Sequence, residues 1–159
     1  MHRMDERTRL LFCIIAPITM GILTGLFNCS HIYKEMNEMS KPPLTAPTAF
    51  MVFLWILVYL SVGLATFLVL GSHKFSEEKF AAIATTAGLI VLHSVWVFVY
   101  FNLGFIGFAF LLHILIMLLA FVTAVLYLRM DQKAGFLMMP FVVMAVYVTY
   151  LNMVCIFIN

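Results

Sequence analysis

A chain of 159 residues that is 65% hydrophobic and 10% charged, with a mean hydropathy of +1.11, carries more apolar surface than a soluble domain of its size can hide. It belongs in a lipid bilayer, and at roughly 20 apolar residues per span its length allows about four to six spans and no separate soluble domain. The net charge of +2 is spread over tail and loops with no basic run longer than a pair, which excludes a nucleic-acid interface.

The first nine residues, MHRMDERTR, are basic and lead into an apolar run from Leu10 to Phe27. A signal peptide begins in the same way, but this run has no small-x-small cleavage pattern and contains Pro17, Gly21 and Gly25, so it predicts a retained first span over 10–28. Gly21 and Gly25 stand four apart on one face, the spacing that admits a neighbouring helix backbone or thins the wall of a cavity.

Residues 29–45 form the longest connection. Tyr33, Met36 and Met39 recur at intervals of three, which fits a short interfacial helix laid over the bundle mouth with Lys34, Glu35 and Glu38 in water. A surface connector with a few apolar anchors is the alternative. Prolines 42, 43 and 47 then fix the backbone on the approach to a second span over 46–70, in which Trp55 stands eight residues past Pro47, about 12 Å of helical rise below the surface.

Residues 80–128 are an almost unbroken apolar stretch, too long for one span, and FNLG at 101–104 is its only interruption. A tight turn at Asn102 and Gly104 therefore divides spans at 80–101 and 104–128. A fifth span covers 136–158. With five spans, Arg3, Arg7, Arg9, Lys74, Lys79, Arg129 and Lys133 share one side and only Lys34 and Lys41 the other, which predicts a cytoplasmic N-terminus.

Polar groups are costly in a bilayer, so His93, Ser94, His113, Thr123, Tyr147, Thr149 and Asn152 are the informative positions inside spans. No carboxylate lies within any predicted span, which removes the acidic relay of a proton-coupled transporter. His93 and His113 fall on adjacent spans at similar depth; two imidazoles there can ligate a haem iron or metal ion, but a hydrogen bond between the helices is the simpler expectation. Cys13, Cys29 and Cys155 lack metal-ligand spacing and read as free thiols, so no metal site is expected. No nucleophile–base set, P-loop or nucleotide fingerprint appears. Sixteen Phe, six Tyr and two Trp suit flat conjugated ligands as well as helix packing and interfacial belts.

Taken together, these motifs resemble those of the translocator protein family, TspO/MBR, whose members are also called peripheral-type benzodiazepine receptors or tryptophan-rich sensory proteins. The family's Lys-Pro, later Pro-Pro, then Trp-x-x-x-Tyr is matched by Lys41 and Pro42, Ala46 and Pro47, and Trp55 and Tyr59. Its third-span Leu-Asn-x-x-Trp-x-x-x-Phe-Phe reads LHSVWVFVYF from Leu92 to Phe101. The fifth-span pattern reads LMMPF at 137–141, then Leu151 with Asn152, and Asn159.

The resemblance runs from about Ala16 to the end and implies an all-α bundle of five transmembrane helices, commonly a homodimer, with one pocket under the 29–45 loop acting as a lid. Family ligands include porphyrins, sterols and benzodiazepine-like drugs, so protoporphyrin IX or haem is an expected ligand and no cofactor is required. Matching positions put Gly25, Met51, Leu54, Trp55, Trp96, Phe108, Leu112, Leu115, Met144 and Tyr147 around that pocket, with Leu44 and His93 as further contacts at positions where the family has an aromatic and an Asn. The bacterial cytoplasmic membrane is the expected location, for a multi-pass protein acting as sensor, carrier or scavenger.

Some bacterial relatives are reported to degrade porphyrin in light with one Trp in the second span and another in the fifth. Trp55 matches the first, but Met144 occupies the second position and cannot donate an electron as an indole does. Together with Leu112 in place of a frequent Asp, this points to a binder of apolar molecules more than to an enzyme using Trp55; a membrane interaction or scaffold protein without a small-molecule ligand is the other alternative.

Overall fold

The computed structural model describes residues 5–38, 40–72 and 76–158, and all regular structure among the described residues is helical. Helix α1 spans Glu6–Glu38, α2 Thr48–Gly71, α3 Ser76–Phe101, α4 Ile106–Met130 and α5 Gln132–Ile158. Each contains a segment long and apolar enough to cross a bilayer.

Two connections are shorter than the sequence predicts. Helix α1 continues ten residues beyond the expected end at 28, because residues 29–38 contain neither Gly nor Pro and an N–H is available for every turn. It stops ahead of Pro42 and Pro43, so the bridge to α2 is confined to 40–47 among the described residues. The side chains of Tyr33, Glu35, Met36, Glu38 and Met39, the proposed cover, lie outside the described residues, as do Arg3, Lys74 and Asn159. In place of a 129–135 loop, Asp131 alone separates α4 from α5. Its N–H donates to Tyr127 O at 2.9 Å and its Oδ1 accepts from Ala134 N at 2.9 Å, so one residue closes one helix and caps the next.

The α3–α4 turn falls where the apolar stretch required it. Gly104 adopts φ +66°, a conformation open to glycine at no steric cost, and Asn102 N donates to Phe98 O at 2.9 Å.

Helices α4 and α5 pack most extensively, through Ala109, Ala120, Ala124, Ala134 and Ala145, all buried and short enough to bring backbones together. Tyr127 ties three helices: its hydroxyl meets Thr66 Oγ1 at 3.0 Å and Thr86 Oγ1 at 2.7 Å. Helix α1 sits at the periphery against α2 and α3. It comes close to α2 at Gly63, where a Cβ would lie 2.7 Å from Cys13 O and 2.9 Å from Ile14 Cα. A turn or two along α1, Gly21 leaves room for the Tyr59 ring. The exposed side chains of this bundle, among them Phe53, Phe80, Phe121 and Val143, are those a bilayer solvates.

Candidate functional site

Beyond the Gly63 and Gly21 contacts α1 and α2 separate, and Gly25, the next small residue, has open space where a Cβ would stand. The gap becomes a cavity of about 610 Å³ bounded by α1, α2, α3 and α5 and covered by the 40–47 connection, a size typical of small-molecule sites. Tyr59, His93 and Trp96 form its deep wall, and Ser40, Lys41, Pro42, Thr45 and Thr48 its mouth. Ile22, Leu26, Val52 and Ile56 line it while remaining at least half exposed, so it also opens sideways between α1 and α2 toward lipid.

Its deep wall is an array of rings. His93 lies 4.2 Å from Trp55 and 5.5 Å from Trp96, centre to centre, with tilts of 40° and 31°, so the imidazole is sandwiched between the two indoles. Phe141 meets Trp55 edge-on at 6.0 Å. Tyr59 Oη lies 3.0 Å from His93 Nδ1 and holds that ring from α2. Trp96 Nε1 donates to Asn152 Oδ1 at 3.4 Å, and Asn152 Nδ2 donates to Val148 O at 2.8 Å.

The expected hydrogen bond between His93 and His113 is replaced by two others. His113 Nδ1 lies 2.9 Å from Thr149 Oγ1, whose own proton goes to Ala145 O at 2.7 Å, so the imidazole is the donor. The Trp96 ring packs against both imidazoles, edge-on to His113 at 4.8 Å. Among the described residues no three His, Cys, Asp or Glu side chains are grouped to hold a metal.

Polar groups along α1 are matched by neighbouring side chains and backbone, including Thr24 in the cavity wall. Thr24 Oγ1 lies 2.8 Å from Ser94 Oγ; Asn28 Nδ2 donates to Thr24 O at 2.6 Å, and Asn102 Nδ2 donates to Asn28 Oδ1. What remains facing a ligand is mostly hydrocarbon and aromatic surface, with the cation of Lys41 at the mouth.

The sequence profile of the TspO/MBR family matches residues 13–158, nearly the whole chain. The chain belongs to the TspO/MBR family. Comparison with curated proteins gives no match. Membership makes this an integral multi-pass membrane protein with the family's general role in ligand binding or sensing.

In this TspO/MBR protein the residues singled out from the sequence divide into two sets. Gly25, Met51, Trp55, His93 and Trp96 line the cavity. Leu54 and Leu112 pack against the core instead, and Met144 is buried within it. Phe108 and Leu115 are 59% and 52% exposed on α4, which packs behind α3 and α5 and does not reach α1. Leu44, 83% exposed, lies in the covering connection at φ +65°. Tyr147 reaches that connection from below: its Oη donates to Leu44 O at 2.8 Å and accepts from Ala46 N at 3.0 Å.

The sequence put α5 at the pocket through Met144 and Tyr147 and singled out Asn152 as a polar group inside a span, but not the stripe that lines the cavity. Val148, Leu151, Asn152 and Cys155 line the cavity, and their spacing of three, one and three is the stripe that one helix face presents. That spacing was visible, but in a segment apolar on all sides nothing marks one stripe over another.

Proposed function

We propose that this TspO/MBR protein binds a flat apolar molecule, a porphyrin or a sterol, in the cavity between α1, α2, α3 and α5, as a sensor, carrier or scavenger. The observation that carries the reading is the deep wall, in which Trp55, His93 and Trp96 present stacked ring surface to an apolar space of about 610 Å³. The sideways opening between Ile22, Leu26, Val52 and Ile56 supplies a route for a ligand dissolved in the bilayer.

Binding without turnover is the favoured role. Met144, at the position of the second photochemical indole, is buried in the core and lies outside the cavity lining. The proposal includes a cytoplasmic N-terminus, supported by the basic-residue asymmetry, a bacterial cytoplasmic membrane as the location, and a homodimer, the assembly that the family resemblance suggests.

A thermal-shift panel of protoporphyrin IX, haem and sterols on the detergent-solubilised chain tests the reading. A ligand of the folded state raises stability by mass action, by about 2.7 kcal/mol at a hundred times its Kd. A melting temperature insensitive to every member of the panel contradicts it.

A further inference from the structure

The cavity is open sideways to lipid but closed along the helix axes, and one ring closes its deep end. On α2 its lining runs from Thr48 at the mouth to Tyr59, eleven residues or about 16 Å of helical rise. Side chains of a helix lean toward its N-terminus, so the Tyr59 ring projects from α2 toward the mouth. A Cβ on Gly21 would overlap Tyr59 Cε2 and lie 2.7 Å from Cδ2, which puts the ring edge directly against the α1 backbone. Toward α3, Tyr59 Oη lies 3.0 Å from His93 Nδ1. The ring is thus buried and braced against both neighbouring helices.

Behind the ring the two helices meet backbone to backbone. Gly63, one turn beyond Tyr59 on the same face of α2, would carry a Cβ 2.7 Å from Cys13 O and 2.9 Å from Ile14 Cα, and Pro17 of α1 is buried between the two levels. The ring therefore has little room to retreat.

At the opposite end the 40–47 connection is held down from α5. Tyr147 Oη donates to Leu44 O at 2.8 Å and accepts from Ala46 N at 3.0 Å, and Tyr150 Oη donates to Pro43 O at 3.2 Å. A molecule lying along α2 is confined between this connection and the Tyr59 ring. With the hydroxyl engaged by His93, the ring meets such a molecule with aromatic carbon. The stop is steric, and close-packed interiors resist overlap by even one methylene.

We propose that the Tyr59 ring sets the greatest length of rigid, flat ligand that this protein accepts. The inference rests on the ligand-binding role proposed for the cavity. It makes Tyr59 a specificity-determining residue that acts through the size of its ring, so that removing the ring lengthens the compartment toward Pro17.

Diphenylbutadiene, diphenylhexatriene and diphenyloctatetraene test this. They are rigid, flat hydrocarbons that differ by one vinylene unit and absorb where tryptophan emits, so each is read by quenching of Trp55 and Trp96 in the detergent-solubilised full chain. In the wild-type chain, saturable binding should weaken by about tenfold between two successive members, the order of one overpacked contact. Tyr59→Leu and Tyr59→Ala should each move that step to a longer member or past the end of the series. Tyr59→Phe, which keeps the ring, should leave the step where it is. Melting curves check that each variant is folded, and the wild-type series tests the limit without any variant. Affinity that is constant or rises through the whole series in the wild-type chain overturns the proposal, because the rods then pass the floor, the cover or the lateral opening. A step that neither Tyr59→Leu nor Tyr59→Ala moves also overturns it, as does one that Tyr59→Phe abolishes. Protoporphyrin IX is titrated in parallel: saturable quenching by the porphyrin with none by any polyene overturns the length limit alone, whereas no saturable quenching by either contradicts the binding role itself.

Discussion

Tyr59 Oη and His93 Nδ1 lie 3.0 Å apart, and this contact between α2 and α3 sets the angle at which the imidazole enters the Trp55–Trp96 stack. The Tyr59 ring is also the group that Gly21 accommodates, so one tyrosine joins three helices at the base of the cavity. Tyr59→Phe keeps the ring and removes the hydroxyl alone. It should lower stability by about 1–2 kcal/mol, the cost of leaving a buried imidazole nitrogen unmatched, seen as a fall in melting temperature in detergent.

Two glycines along the α1–α2 face, Gly63 and Gly25, should respond differently to a methyl group. Gly63→Ala drives a Cβ to 2.7 Å from Cys13 O, a backbone atom that can yield only if the helices part, and should cost about 1–3 kcal/mol. Gly25→Ala meets nothing within 4 Å and should leave stability unchanged or raise it slightly through better helix propensity. Unfolding measurements on the pair check the contrast; equal losses at both positions would mean that α1 and α2 do not diverge between them.

Tyr147 acts on the cavity from outside its lining. With its Oη bonded to Leu44 O and Ala46 N, it holds the covering connection in a turn that includes a non-glycine residue at φ +65°. Tyr147→Phe should loosen that cover and raise the ligand dissociation rate by roughly fivefold, equivalent to about 1 kcal/mol, with a smaller effect on the association rate. Stopped-flow exchange of a bound porphyrin reads both rates.

Five spans were legible because a bilayer leaves few alternatives: a chain this apolar must satisfy its backbone within helices, and FNLG admits only one break in the long apolar stretch. Helix ends were less so. Residues 29–38 are polar enough to resemble a loop, yet with no Gly or Pro they simply extend α1, and hydropathy does not distinguish a helix that leaves the bilayer from a chain that stops being helical. His93 stood out because polar groups are scarce within spans, whereas Trp55 and Trp96 were put at the pocket by the family resemblance. Phe108 and Leu115 could not be assigned a direction, since α4 is apolar all round and only packing against α3 and α5 decides which face is covered. Gly63 shows the same limit: its role depends on the Cys13 backbone fifty residues away in sequence.

The central claim is that the cavity against Trp55 and Trp96 holds a flat apolar ligand, and the protein carries its own reporter, because these two tryptophans are the only ones in the chain and both line the cavity. Titration with protoporphyrin IX, read by tryptophan fluorescence, should give saturable quenching at one ligand per chain. Gly25→Phe, which fills open space in the cavity, should abolish the saturable component while the melting temperature is maintained. Quenching that rises linearly without saturation, or that is unchanged in a folded Gly25→Phe chain, would contradict the account.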